Sequence, residues 1–189
     1  MLNLKQYIHN SIEVKQKTLN DPGILKNLRN TIDLINRCFK QGSKILIAGN
    51  GGSAADAQHF AAEIVGRYKR ERKGYPAIAL TTDTSMLTAW SNDYNFNTVF
   101  RRQIEALGKK GDVFIGISTS GNSVNVIEGV KQAKRMKIKT VCLLGKAGGK
   151  LKTICEIPII IPSDETSHTQ ECHITLIHYI CEQIEKNFK

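Results

Sequence analysis

His59 and Glu63 stand four residues apart. If the segment around them is helical, both side chains leave one face, about 6 Å apart along the axis. An imidazole and a carboxylate at that spacing can share a divalent metal, and the carboxylate can also remove a proton. Alone the pair decides nothing, because such pairs also line ordinary solvated helix faces. A second group lies near the C-terminus, at Gln170, His173 and His178. His178 borders an apolar stripe, where a packed core imidazole and a functional one read alike. Gln170 and His178 are separated by about 12 Å of rise and about 80° of rotation on an ideal helix. They can touch one ligand if Gln170 sits at the start of the helix or if both side chains are fully extended. Otherwise they come from different subunits.

Two turns could bind an anion. Gly49-Asn50-Gly51-Gly52-Ser53 leads from an apolar run into a helical stretch, expected over Ala54–Tyr68, with Ser53 and Asp56 spaced as a capping box. It serves a structural turn and a ligand cradle equally well. Ser118-Thr119-Ser120-Gly121-Asn122-Ser123 places four hydroxyl side chains before the helix that carries Val126, Ile127 and Val130. One hydroxyl is enough to cap a helix, so four beside free N–H groups and a positive dipole end favour an anion. No lysine follows the glycine as a Walker loop requires, which points to a phosphate monoester and away from a nucleoside triphosphate.

These residues need a scaffold, and the patterning supplies one. Short apolar runs at Lys44–Ala48, Pro76–Leu80, Asp112–Ile117, Thr140–Leu144 and Ile157–Ile161 alternate with helical stretches. That order predicts an α/β fold, a doubly wound five-stranded parallel sheet covered on both faces. In such sheets ligands sit outside the carboxyl ends of the strands, where both turns fall. Ahead of the sheet, Leu4, Ile8 and Ile12, then Leu25, Leu28, Ile32, Ile35 and Phe39, predict a helical hairpin over residues 1–41. Asp21 serves as N-cap of its second helix, with Pro22 in the first turn. The hairpin's apolar seam needs a surface, either this domain or another subunit. A last helix from about Thr169 to Phe188 carries Ile177, Cys181, Ile184 and Phe188 on one stripe.

The 189 residues, 41% hydrophobic and 23% charged, suit one domain with a full core, expected over 1–189. Five cysteines without a CxxC pair argue for reduced thiols and a cytoplasmic protein. Neither a secretory leader nor a run of about 20 apolar residues is present, so no membrane is expected. The formal charge of +10 suits nucleic acid, an anionic surface or a phosphorylated substrate. Its densest cluster, Arg67, Lys69, Arg70, Arg72 and Lys73 around Tyr68, reads as a solvated helix end; without a nucleic-acid-binding module, no nucleic-acid partner is expected.

Taken in order, AGNGGSAADAQHFAAEIVGRY (Ala48–Tyr68), SND (Ser91–Asp93), GISTSGNS (Gly116–Ser123) and QECHITLIH (Gln170–His178) closely resemble the sedoheptulose-7-phosphate isomerase family, which carries the SIS, or sugar isomerase, fold. The likeness covers nearly the whole chain. It implies conversion of sedoheptulose 7-phosphate to D-glycero-D-manno-heptose 7-phosphate through an enediol, the first step toward ADP- or GDP-heptose. It implies a homotetramer with active sites at subunit contacts, and one zinc per subunit on His59, Glu63, Gln170 and His178. Glu63 and His178 become the acid–base pair. Substrate contacts fall at Asn50, Gly51, Gly52, Ser53, Glu63, Asn92, Asp93, Ser118, Thr119, Ser120, Ser123 and Gln170. The rival reading is a non-catalytic SIS protein that binds a replication initiator or senses sugar phosphates; such relatives lack the glutamate and the final histidine, both present here.

Overall fold

The computed structural model describes residues 3–187. It opens with the helical hairpin, α1 (Leu4–Asn20) and α2 (Pro22–Lys40). Asp21 makes the joint as expected: its Oδ1 accepts from the N–H groups of Gly23 and Ile24 at 2.8 and 3.0 Å, with Pro22 in the first turn. Ile24, Leu28, Ile32, Ile35 and Phe39 of α2 are buried, while Leu25 stays outside. In α1 the expected stripe is not covered by this chain. Leu4, Ile8 and Ile12 are 73%, 48% and 46% exposed, and Ser11, Val14 and Thr18 are buried instead. Spacing identifies an apolar face but not what that face meets.

Five strands, β1 (Ile45–Gly49), β2 (Ala77–Ala79), β3 (Val113–Ser118), β4 (Lys139–Leu144) and β5 (Ile157–Ile160), form one parallel sheet in the order β2-β1-β3-β4-β5. β1 and β3 run one residue beyond the expected ends, because Gly49 still pairs with Ile117 and Ser118 with Leu144. β2 is shorter than expected: it is an edge strand, bonded only to β1, and Pro76 contributes just its carbonyl, to Ile45 N–H. The connecting helices are α3 (Gly52–Val65), α4 (Thr84–Asp93), α5 (Val99–Leu107), α6 (Val124–Arg135), α7 (Leu151–Ile154) and α8 (Thr166–Asn187).

Every residue of β1 and β3 is buried, and their side chains alternate between two cores. Ile45, Ile47, Val113, Ile115 and Ile117 meet α2, α3 and α8, whereas Leu46, Ala48 and Phe114 meet α5 and α6. Each of the Val, Ile, Leu and Phe side chains removed from water contributes about 1.5–3 kcal/mol. On α8, Ile177, Cys181 and Ile184 are buried as expected, and Phe188 lies outside the described residues. α8 starts at Thr166, three residues earlier than anticipated, so Gln170 lies in its second turn.

The sheet order fixes where a ligand can sit. The chain leaves β1 toward β2 on one side and continues from β3 toward β4 on the other, so the loops following β1 and β3 diverge. That switch point opens a crevice at the carboxyl ends of the two central strands. The glycine turn and the serine turn are those two loops.

Candidate active site

The glycine turn is held by close backbone approach. A Cβ on Gly49 would lie 2.5 Å from the Ser53 carbonyl oxygen, and Gly51 adopts φ 55°. The expected capping box is not formed. α3 begins at Gly52, its N-cap is Gly51, and no side chain caps it; Ser53 is buried inside the first turn. The helix also ends earlier than Tyr68, at Val65, where Gly66 closes it. Asn50 exchanges two side-chain hydrogen bonds with Asn125 of α6, at 2.9 and 2.8 Å, and Asn125 Oδ1 accepts from Val126 N–H. This amide pair, with Asn125 buried and Asn50 half-buried, ties the two turns together. The sequence reading missed Asn125, although it follows the serine turn directly.

In the serine turn the hydroxyls converge. Ser118 Oγ lies 2.9 Å from Ser123 Oγ and 3.5 Å from Ser120 Oγ. Ser123 is the N-cap of α6 by position, yet its side chain caps no amide. Ser120 Oγ accepts from Asn122 N–H at 3.1 Å, but capping accounts for neither Ser118 nor Ser123, and a tetrahedral anion suits converging hydroxyls at a helix N-terminus. Gly121, at φ 66°, packs against Gly148 and Gly149, and its carbonyl accepts from Leu151 N–H at 3.0 Å. Thr119 stands in the turn, half-buried.

The histidine–glutamate pair and the C-terminal histidine meet within one chain. His59 Nε2 lies 3.1 Å from Glu63 Oε1 and 3.2 Å from His178 Nε2. One ligand atom from each of the three falls within 4.8 Å of the others. Donors held at zinc distances of 2.0–2.1 Å in a tetrahedron sit about 3.3 Å apart, so this N, N, O set fits a tetrahedral divalent metal. Without a metal the arrangement is poorly matched, because the same His59 Nε2 faces Glu63 Oε1 and His178 Nε2 and cannot donate to the first while accepting from the second. Different subunits are thus not needed to bring His178 to Glu63. Gln170, two turns earlier on α8, sets its carboxamide against Gly52, where a Cβ would meet Nε2 at 2.5 Å. His173 stays out of the cluster: it is fully buried and its Nε2–H donates to the Leu144 carbonyl at 3.1 Å.

Electrostatics single out Asp56, three residues before His59 and outside the candidates read from sequence. Burial pushes its carboxyl up to about 6 against the pull of His59, and its Oδ2 is enclosed without a hydrogen-bond partner. Asn92 and Asp93 end α4, exposed and hydrogen-bonded to each other at 3.0 Å. The basic cluster is not simply a solvated helix end. Arg72 is buried, with Nε 3.0 Å from Glu185 Oε1, while its other nitrogens donate to the carbonyls of Glu63, Ile64, Gly66 and Lys73. No helix among the described residues is long and apolar enough to cross a membrane.

Comparison with known proteins agrees with this fold. Residues 6–145 match the SIS domain family model. The chain is 49% identical to the phosphoheptose isomerase of Campylobacter concisus, over 98% of this chain and 99% of that one. It is 52% identical to the phosphoheptose isomerase of Helicobacter pylori strain 26695, over 93% and 91%. The solved phosphoheptose isomerase of Neisseria gonorrhoeae superposes with a TM-score of 0.91 at 43% identity, covering 97% of both chains.

Proposed function

We propose a function from one premise: this chain belongs to the phosphoheptose isomerase family of SIS-domain proteins and is an aldose–ketose phosphosugar isomerase. Its substrate is sedoheptulose 7-phosphate and its product D-glycero-D-manno-heptose 7-phosphate, feeding activated-heptose synthesis. The observation that carries this reading is the meeting of His59 and Glu63 of α3, the helix that opens from the glycine turn, with His178 of α8. The non-catalytic reading has no use for that cluster. Residues 1–189 act as one SIS domain.

Isomerisation moves a proton from C1 of the ketose to C2 and another between the oxygens, through an enediol. The serine turn takes the phosphate: the hydroxyls of Ser118, Thr119, Ser120 and Ser123 and the amides opening α6 receive its oxygens. Anchored there, the sugar extends across the crevice past Asn50, Gly51, Gly52 and Ser53, with Asn92, Asp93 and Gln170 taking hydroxyl groups. Anchoring at the far end turns binding energy into orientation of C1 and C2. Glu63 removes the C1 proton and His178 makes the complementary transfer. His59, Glu63, His178 and Gln170 would hold one zinc per subunit, and a metal there would supply Lewis-acid chemistry.

The reading includes a homotetramer. Leu4, Ile8, Ile12, Leu19 and Leu25 leave a large apolar face on the hairpin, and a groove of about 600 Å³ between the hairpin and α8 adjoins it. Such a patch is what a subunit contact covers. The enzyme works in the cytoplasm, in keeping with five buried, free cysteines. Glu63→Gln tests the mechanism, since it conserves volume and removes the base. Turnover should fall about 10²–10⁴-fold with phosphosugar binding retained; activity above roughly a tenth of wild type would remove Glu63 from that role.

A further inference from the structure

His178 is held by more than its own helix. Its ring lies between two others: His59, 5.1 Å away and tilted by 59°, and Tyr68, 5.7 Å away and nearly parallel at 23°. Tyr68 belongs to the irregular segment that follows α3, where the chain has no ladder to fix it. What fixes it is Glu185. This carboxylate, 2% exposed, accepts from three consecutive backbone N–H groups, Tyr68 at 2.7 Å, Lys69 at 2.9 Å and Arg70 at 3.1 Å, and from Arg72 Nε at 3.0 Å. Burial alone would push the carboxyl up, but the Lys69, Tyr68 and Arg70 amides and Arg72 hold it below the ordinary carboxylate range.

The geometry is directional. Glu185 follows His178 by seven residues, two turns along the same face of α8. One helix thus carries both the imidazole and the carboxylate that brings a tyrosine over that imidazole. Arg72 completes the clamp from the other side. Its guanidinium donates to the Glu63 carbonyl at 2.8 Å and the Ile64 carbonyl at 3.0 Å, tying down the last turn of α3, which bears Glu63. A buried ion pair is seldom retained for stability alone, because desolvation cancels most of its attraction. Here its hydrogen bonds end on the segment that joins Glu63 to Tyr68.

We propose that Tyr68 is a positioning residue for His178, kept over the imidazole by the Arg72–Glu185 clamp, and that its ring fixes the orientation in which His178 completes the metal-binding cluster. The proposal rests on the assignment of His59, Glu63 and His178 as that cluster. Tyr68 acts through its ring, so the hydroxyl is dispensable.

The test compares Tyr68→Ala with Tyr68→Phe in the full chain. Two quantities are read: the zinc affinity of the chelator-stripped protein, by competition with a chromophoric chelator, and kcat and KM separately on the phosphosugar. Removing an outer partner of a metal ligand typically costs 10–100-fold in affinity or activity. Tyr68→Ala should therefore weaken zinc binding and lower kcat by about tenfold or more, with KM within about twofold, and Tyr68→Phe should retain both values. Zinc affinity and kcat within twofold of wild type in Tyr68→Ala would overturn the proposal, as would equal losses in Tyr68→Phe. Glu185→Gln, if it folds, should reproduce the alanine phenotype in weaker form. His178→Ala separates the two ideas: if it binds zinc as tightly as wild type, the cluster assignment itself fails, whatever Tyr68 does.

Discussion

His173 sits in the core with its Nε2–H bonded to the end of β4 and its Nδ1 enclosed without a partner. Burial pushes its pKa from 6.5 down to about 4, against the smaller opposing effect of the Leu144 carbonyl. The folded protein must therefore keep this ring neutral, whereas the unfolded chain binds a proton below about 6.5. Between those values the unfolded state holds more protons, so the contribution is fully present above pH 6.5 and is lost as pH falls toward 4. A gap of that size corresponds to roughly 3 kcal/mol in all, of which roughly 2 kcal/mol disappears between pH 7 and pH 5. Asp56, raised to about 6, shifts in the opposite sense over the same window. The informative quantity is thus the difference between wild type and His173→Gln, a variant that cannot titrate there. Urea unfolding of metal-free protein at one protein concentration, in steps from pH 7 to pH 5, should show wild type losing about 2 kcal/mol more than the variant. Parallel stability curves would refute the buried neutral histidine.

Replacing Ser118, Ser120 and Ser123 together by alanine should raise KM at least about tenfold and weaken competitive inhibition by inorganic phosphate, since hydrogen bonds to a charged group contribute about 1.5–3 kcal/mol each; unchanged phosphate competition would move the phosphate elsewhere. Gly121→Ala forces a side chain into φ 66° with its Cβ 2.1 Å from the Gly148 carbonyl oxygen. It should cost a few kcal/mol in thermal unfolding and raise KM, and a variant matching wild type in both would show that the turn is not constrained by that packing. Glu63→Gln and His178→Ala subunits, mixed and reassembled, should stay inactive because the two side chains meet within one chain; recovery toward about a quarter of wild-type activity would mean that they meet across a subunit contact.

Much of this was legible in the residues. The five strands follow from short apolar runs, buried throughout in the central β1 and β3, and the two turns fall at the switch point because parallel sheets place their loops there. Helical spacing put His59 and Glu63 on one face, and the family resemblance gave them a role. Spacing could not bring His178 to them, because His59 is 119 residues away in sequence and only the packing of α3 on α8 unites them; the resemblance alone named it. The capping box at Ser53 and Asp56 failed because Gly51, in a left-handed conformation, starts α3 two residues earlier than expected. Asp56 then becomes a partly buried carboxyl, a state that local sequence cannot announce. Arg72 was hidden among surface cations, since nothing nearby in sequence names Glu185. Leu4, Ile8 and Ile12 gave a correct periodicity without identifying what covers them.

The central claim is tested most directly by adding sedoheptulose 7-phosphate to zinc-loaded, metal-analysed protein in deuterated water and following the sugar by NMR. The account predicts the appearance of an aldose 7-phosphate carrying solvent deuterium at C2, and loss of both signals with Glu63→Gln. Unchanged ketose with wild-type protein of verified metal content, or an undiminished rate with Glu63→Gln, would contradict it.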